Sequence, residues 1–228
     1  TAIINLLQLE SEEKITAVIQ VKEFLPERYL FMATKKGIVK KTSLIEFKNL
    51  HKGGLNAIHL DDDDELIGVR FTNGNHDVIL GTKWGMAILF PEDDVRAIGR
   101  QGRGVRGIRL SDGDEVIAMD TLMPNADVLT VTAEGYGKRT QRDEYRTQTR
   151  GGKGLINMKV TEKTGAVIGL KVVRPGQELI LITTDGIVIR TKVDEISVIS
   201  RNTQGVKVVR LGEGDKAASF AAMEQKNN

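Results

Sequence analysis

The sequence predicts an all-β fold, a propeller-like array built from four-stranded repeats of about 50 residues. Three observations lead there. The chain of 228 residues is 40% hydrophobic but only 4% aromatic, and 24 glycines interrupt its Val, Ile and Leu at short intervals, which favours many short strands over long helices. A hairpin-like segment recurs four times. A second glycine landmark recurs in step with it.

The hairpin segments are LFMATKKGIVKKT from Leu30, VILGTKWGMAILF from Val78, VLTVTAEGYGKRT from Val128 and LILITTDGIVIRT from Leu179. Thr34, Thr82, Thr132 and Thr183 hold one position. Gly37, Gly85, Gly135 and Gly186 follow three residues later, where a short loop needs a residue tolerant of positive φ, and their spacings are 48, 50 and 51. The second landmark is Gly54, Gly104, Gly154 and Gly205. Each leads into an alternating segment: Ile58-His59-Leu60, Ile108-Arg109-Leu110, Met158-Lys159-Val160 and Val209-Arg210-Leu211, with Leu7-Gln8-Leu9 opening the series. A polar turn and another apolar stretch follow, as at Leu66 to Val69 and Val116 to Met119, so each period holds about four strands.

These marks divide a single domain over 1–225 into repeats at about 4–55, 56–105, 106–155 and 156–206, with a partial repeat at 207–225 and a frayed tail at 226–228. The array is expected to be incomplete at its N-terminus, with the strand at Ile3 to Leu9 and the strand near Ala217 to Ala222 at its two ends. Four evenly spaced copies suit radial stacking, in which each small sheet hides its faces against its neighbours, better than two duplicated sandwiches.

Cysteine is absent, which excludes disulfides and thiolate metal sites. No apolar run approaches membrane-spanning length and Thr1 to Asn5 lack the basic start of a signal peptide, so a soluble, intracellular protein is expected.

A formal net charge of +2 conceals segregation by phase within the repeat. One basic group lies on the hairpin and its outgoing strand: Lys35, Lys36, Lys40, Lys41, Lys83, Lys138, Arg139, Arg190 and Lys192. The other lies in the glycine-rich connections, where Arg100, Arg150 and Arg201 each precede the landmark glycine by four residues, joined by Arg103, Arg106 and Lys153. Lys48, His51 and Lys52 occupy the corresponding, shorter first connection. Acidic residues gather in the turn between the first two strands of the period, at Glu10, Glu12 and Glu13, Asp61 to Glu65, Asp112 to Glu115, and Glu213 and Asp215. In a radial array equivalent positions share a rim. The basic phases therefore predict a positive track that binds and bends double-stranded DNA through its phosphates, largely without reading sequence, with the acidic turns at another edge. Gly102, Gly104, Gly151, Gly152 and Gly154 would let phosphates approach backbone N–H groups, or would serve as tight turns.

No catalytic, metal or cofactor site is expected. Gly102, Gly104 and Gly107 spell G-x-G-x-x-G but lead into a strand-like segment rather than a helix, and no phosphate-binding G-x-x-x-x-G-K-[ST] occurs. His51, His59 and His76 lack ligand spacing, and Asp61 to Glu65 lacks that of a Ca²⁺ loop. Trp84, Tyr136 and Tyr145 are expected to pack within the domain.

The run from Gly135 to Thr140 and the run from Glu144 through Tyr145, Arg146, Thr147, Gln148, Thr149, Arg150, Gly151, Gly152 and Lys153 to Gly154 closely resemble the C-terminal domain of the DNA gyrase A subunit. Asp64 to Val69, Gly104 to Leu110, and Glu195 to Ser197 followed by Gly205-Val206 support the resemblance, which covers essentially the whole chain. It implies a β-pinwheel whose blades exchange strands and whose basic perimeter wraps DNA for ATP-dependent negative supercoiling. It further implies partnership with the remainder of the A subunit, and with the B subunit, in an A2B2 holoenzyme of the bacterial cytoplasm and nucleoid. The catalytic tyrosine, ATP and Mg²⁺ belong to other parts of that holoenzyme.

Gln148, Thr149, Arg150, Gly151, Gly152, Lys153 and Gly154 match the family's box, Q-[RK]-R-G-G-[RK]-G, except at Thr149. The family places its functional box in the first blade, so this copy is read as an echo of it; Arg146 lies just before it. The related topoisomerase IV A subunit, whose C-terminal domain has a degenerate box or none, is the alternative. A protein-docking propeller is more distant, because the Trp-Asp signature of such repeats is absent.

Overall fold

A computed structural model describes residues 13–49 and 54–224; the strand expected at Ile3 to Leu9 and the tail at 226–228 lie outside them. The described residues are all β, joined by short 3-10 turns. In chain order the strands are β1 (Tyr29–Thr34), β2 (Ile38–Ser43), β3 (Leu66–Thr72), β4 (Asp77–Thr82), β5 (Met86–Pro91), β6 (Val105–Arg106), β7 (Val116–Leu122), β8 (Asp127–Thr132), β9 (Tyr136–Gln141), β10 (Leu155–Ile156), β11 (Val167–Val173), β12 (Gln177–Thr183), β13 (Val188–Lys192), β14 (Val206–Lys207) and β15 (Ala217–Glu224).

Each hairpin turns on the Thr-x-x-Gly signature. The glycine N–H donates to the threonine carbonyl at 3.0–3.1 Å in all four, and Gly37, Gly85, Gly135 and Gly186 have φ of 77–86°. The buried threonine tightens the loop from its side chain: Thr34 Oγ1 accepts from Ile38 N, Thr82 Oγ1 from Met86 N and Thr183 Oγ1 from Ile187 N, at 3.1–3.2 Å.

The hairpins become blades by borrowing strands. The sheets run β3-β1-β2-β6, β10-β5-β4-β7, β11-β8-β9-β14 and β13-β12-β15. The inner strand of each (β3, β7, β11, β15) follows its own hairpin. The short outermost strand arrives from the connection beyond the next hairpin, so Val39 pairs with Val105 and Gly137 with Val206. One sheet therefore draws on two successive sequence periods.

Stacking buries both faces of the second and third sheets, whereas the fourth leaves Ile182 and Val188 exposed. Phe31, Ala33 and Val39 meet Leu80, Ile88, Phe90 and Val116 between the first and second sheets, and the Phe31 and Phe90 ring centroids lie 6.4 Å apart. Ile79, Ala87 and Leu89 meet Val128, Tyr145 and Leu170 between the second and third, and Leu129 and Val131 meet Leu179 and Leu181 between the third and fourth. Each fully buried Val, Leu, Ile or Phe among them is worth about 1.5–3 kcal/mol. Around the axis, small residues of one inner strand admit large residues of the next: a Cβ on Gly169 would stand 2.6 Å from the Phe220 ring.

The hairpin glycines serve a second purpose at the blade junction. The carbonyl of Gly37 accepts from Gly107 N and Ile108 N, that of Gly85 from Asn157 N and Met158 N, and that of Gly135 from Val208 N and Val209 N. A Cβ on Gly85 would lie 2.2 Å from the Met158 carbonyl oxygen, whereas one on Gly186 would meet nothing within 4 Å. Gly186→Ala should therefore lose only the ~1–2 kcal/mol of left-handed strain. Gly85→Ala should lose distinctly more, because a main-chain carbonyl must move as well. Urea unfolding of the two variants checks the ranking, and equal losses would show that blade contact does not require glycine.

Candidate nucleic-acid interface

The cations expected on the hairpins do not form a free track. Antiparallel pairing places Thr34 opposite Leu66 and Thr82 opposite Val116, so the first two hairpin tips lie beside the acidic turns that precede their inner strands. Lys35 is 3.7 Å from Glu65 and 3.5 Å from Glu115, Lys36 pairs with Asp63, and Lys83 is 3.5 Å from Glu115. Acidic turns and hairpin lysines thus share one edge and neutralise each other, contrary to the expected separation.

On the outgoing strands the correction is larger. Lys40 and Lys138 are completely buried. The Lys40 amine donates to the carbonyls of Ala57, at 2.6 Å, and Arg100; the Lys138 amine donates to those of Ser200, at 2.7 Å, and Arg201. Both lysines tie the sheet interior to the roots of the basic connections. Burial, reinforced by the Arg100 guanidinium, lowers Lys40 to about 8, and burial with Arg201 lowers Lys138 to about 7. A neutral amine retains two N–H donors, enough for the two carbonyls at each site.

Lys41 is also buried, donating to the Glu92 carbonyl at 3.0 Å and lying 5.2 Å from the Tyr29 ring centroid. Arg139 donates to the Ile196 carbonyl at 2.8 Å and to Asp127 at 3.2 Å. Lys40, Lys41 and Lys138 are therefore interior residues, and Arg139 is committed to internal partners. In the fourth sheet Arg190 is exposed but paired with Glu178, and Lys192 is exposed.

The connections are different. They carry the outermost strands β6, β10 and β14, and successive connections are joined by backbone hydrogen bonds: His59 N to Gly102 O, Arg109 N to Gly152 O and Lys159 N to Thr203 O, at 2.8–3.4 Å. The result is a continuous belt along the outer edges of the sheets. Arg103, Arg106, Arg146 and Lys153 are exposed on it, with Arg103 also paired to Asp61. Arg100, Arg150 and Arg201 are half-buried and brace the belt through the carbonyls of Asn56, of Asp94 and Arg106, and of Ile156 respectively. Lys52 lies outside the described residues.

Three further cations, Arg109, Lys159 and Arg210, are exposed at one phase of the belt, and among the described residues none has an acidic partner. Sequence reasoning aligned these positions as strand landmarks without reading their charge. Their recurrence every 50 and 51 residues was the available signal.

Within the box-like stretch, Gln148 N donates to Leu89 O at 2.8 Å and Gly151 N to Gly107 O at 2.6 Å. Gly102 N likewise donates to Gly99 O. The Gly102 and Gly151 amides are thus already used inside the protein. A Cβ on Gly154 would lie 2.4 Å from the Ala87 carbonyl oxygen, and one on Gly104 2.5 Å from that of Val39, so these glycines let the belt close onto the sheet. Gly152 supplies the carbonyl that receives Arg109 N, and Thr149 is exposed.

Among the described residues no group of three His, Asp or Glu is placed to hold a metal ion, and no helix is long and apolar enough to cross a membrane.

The family described as DNA gyrase C-terminal domain, beta-propeller, matches residues 28–73, 76–122, 126–174 and 177–222, each unit running from the first hairpin strand to the inner strand of one sheet. The chain is 59% identical over 222 residues to the DNA gyrase A subunit of Halalkalibacterium halodurans, covering 97% of this chain and 27% of that protein. It is 51% identical over 225 residues to that of Clostridium acetobutylicum, covering 99% of this chain and 27% of that one. The chain thus spans about a quarter of the length of the curated relatives it matches. Among solved structures it resembles a C-terminal domain of DNA topoisomerase IV, with a TM-score of 0.92 at 25% identity over 98% of this chain and 70% of that one. It also resembles a DNA gyrase A C-terminal domain, with a TM-score of 0.86 at 26% identity over 97% of this chain and 74% of that one.

The buried lysines generate a pH prediction. Between about pH 7 and the ordinary lysine value near 10.5, the unfolded chain holds a proton that folded Lys138 releases, so stability rises with pH across that window. Lys138→Met removes this contribution and leaves two buried carbonyls without a donor. The variant should be less stable than its parent by about 1–3 kcal/mol near pH 9, with a smaller gap at pH 7. Denaturant titrations at the two pH values check this, and a pH-independent gap would contradict it.

Proposed function

The chain belongs to the DNA gyrase C-terminal domain family, and from that premise we propose that it binds double-stranded DNA along the outer belt and bends it. The observation that carries the reading is the set Arg109, Lys159 and Arg210, exposed at one phase of three successive connections on a belt whose connections are hydrogen-bonded to one another. Cations repeated along a curved rim neutralise phosphates one after another on one side of a duplex, and that one-sided neutralisation favours bending towards the protein. Arg106, Arg146 and Lys153 add exposed charge to the same rim, and Arg100, Arg103, Arg150 and Arg201 shape it.

In this reading the domain holds a wrapped segment for a gyrase holoenzyme, an A2B2 assembly in which strand cleavage and ATP hydrolysis take place outside this domain. The domain needs no cofactor of its own. Contacts that go to phosphate rather than to base edges make the binding tolerant of sequence. The resemblance in shape to the topoisomerase IV domain, together with Thr149 in the box-like stretch, supports a second reading in which the chain is the C-terminal domain of a topoisomerase IV A subunit. A supercoiling assay of the full-length protein with its partner separates the two.

Affinity for a linear duplex should fall steeply with salt, and the slope of log K against log salt counts the phosphates engaged. Arg109→Glu, Lys159→Glu and Arg210→Glu together should weaken binding and make that slope shallower by about 3, roughly one per lost contact. Lys36→Glu with Lys83→Glu, at the neutralised hairpin edge, should change it little. A salt-insensitive affinity, or a larger effect from the hairpin pair than from the belt triple, would overturn the assignment.

A further inference from the structure

The four inner strands face a common axis and line a half-open cavity of about 200 Å³, with residues of β3, β7, β11 and β15 together with Thr16 and Ala17. Ile67, Ile117, Ile168 and Phe220 contribute apolar wall, but the surface it presents is mostly polar. Two cations line it as well: Arg70 on β3 and Lys171 on β11.

They occupy one phase of the repeat. Arg70 lies opposite Phe31, Asp120 opposite Ile79, Lys171 opposite Leu129 and Ala221 opposite Ile180, each partner three residues before its hairpin threonine. The ring therefore reads positive, negative, positive, neutral. Asp120 cannot balance both cations. One of its oxygens accepts from Arg70 Nε at 2.8 Å and from Thr121 N at 3.0 Å, and the other accepts from Val172 N at 2.9 Å. The Arg70 Nη1 is used by the Val69 carbonyl at 3.0 Å. Lys171 has no hydrogen-bond or ion-pair partner among the described residues, and its side chain stands in a partly desolvated wall facing the guanidinium. Burial is the main cause that lowers the Lys171 ammonium below its ordinary value; Arg70 adds to it and Asp120 partly opposes it.

Arg70 and Lys171 share the single carboxylate of Asp120, which leaves one half-buried cation in excess, and a second anion in the space offsets it. We propose that the axial cavity binds a small oxyanion of the inorganic phosphate class, held between Lys171 and the free edge of the Arg70 guanidinium. The hydroxyls of Thr16 and Ser219 line the same cavity and supply further donors. This site is separate from the outer belt. It lies on the inner strands, whereas the belt runs along the outer edges of the sheets, so the ligand is a free ion and not a phosphate of the belt-bound duplex.

Calorimetric titration of the chain with sodium phosphate at constant ionic strength tests the site. Saturable binding with one ion per chain is expected, retained by Lys171→Arg, weakened at least tenfold by Lys171→Met and unchanged by the belt triple Arg109→Glu, Lys159→Glu, Arg210→Glu. Should Lys171→Met fail to fold, Lys171→Gln takes its place, and the Lys171 side-chain amine resonance of the unaltered chain must move saturably with phosphate. Absence of saturation, binding that survives the loss of Lys171, or binding abolished by the belt triple would each overturn the proposal.

Discussion

The architecture depends on one contact: the carbonyl of the glycine at a hairpin tip, which receives two consecutive amides from a connection some 70 residues further along. Gly37 takes Gly107 and Ile108, Gly85 takes Asn157 and Met158, and Gly135 takes Val208 and Val209. The glycine must be left-handed to close its own loop and must lack a Cβ to let the incoming chain approach, so two requirements converge on one residue. Because the incoming segment continues from a strand paired to that same hairpin and runs on to the inner strand of the next sheet, the contact sets the register between blades as well as the turn within one. Each outermost strand is only two residues long, too short to persist alone, and this clamp holds it in place.

That register sorts the cations into three populations with different chemistry. Hairpin tips are carried against acidic turns, and their lysines form surface ion pairs of the kind that contribute little to stability and hold charge neutral along that edge. Lysines one strand further in are enclosed by the stack and serve as donors to main-chain carbonyls. The connections, which run along the outer edges of the sheets, hold Arg109, Lys159 and Arg210 in water at one repeated phase, without an acidic partner among the described residues. A near-neutral chain can therefore present a positive rim, because much of its remaining basic charge is already engaged inside it.

The period was legible because its signals are local. Thr-x-x-Gly needs no tertiary context to mean a tight hairpin, and four copies at a common spacing imply four similar sheets. What could not be read was which strand completes which sheet, since Val39 and Val105 pair across a complete intervening hairpin and no local propensity records such a partner. The burial of Lys40 and Lys138 was missed for a related reason. Lysine is seldom interior unless paired, and its partners here are carbonyls 17 to 63 residues away. The clue lay in the other repeats, where Ile88 and Ile189 stand at the same phase. A position filled by isoleucine in two blades and lysine in two others is an interior position that has acquired a donor. The converse holds at Arg109, Lys159 and Arg210: no repeat places an apolar residue there, and His59 fills the phase in the first connection.

The stretch from Gln148 to Gly154 shows why a motif and its proposed role must be separated residue by residue. Gln148 N is bonded to Leu89, Gly151 N to Gly107, and Gly152 O receives Arg109, while Gly154 presses on the Ala87 carbonyl. Arg150 is bound to Asp94 and to the Arg106 carbonyl. Most of the pattern is thus satisfied by the demands of folding the belt onto a sheet, and a chain that bound nothing would still need it. Lys153 is the exception: exposed, and without an acidic partner among the described residues, it has no structural duty to explain its charge. The glycines of such a motif give the belt its path, and on the proposed function the side chains left over give it affinity for DNA. On that reading, repeats that share the glycines but differ in the leftover cations would have the same shape and different holds on a duplex, so wrapping would be tuned blade by blade without altering the fold.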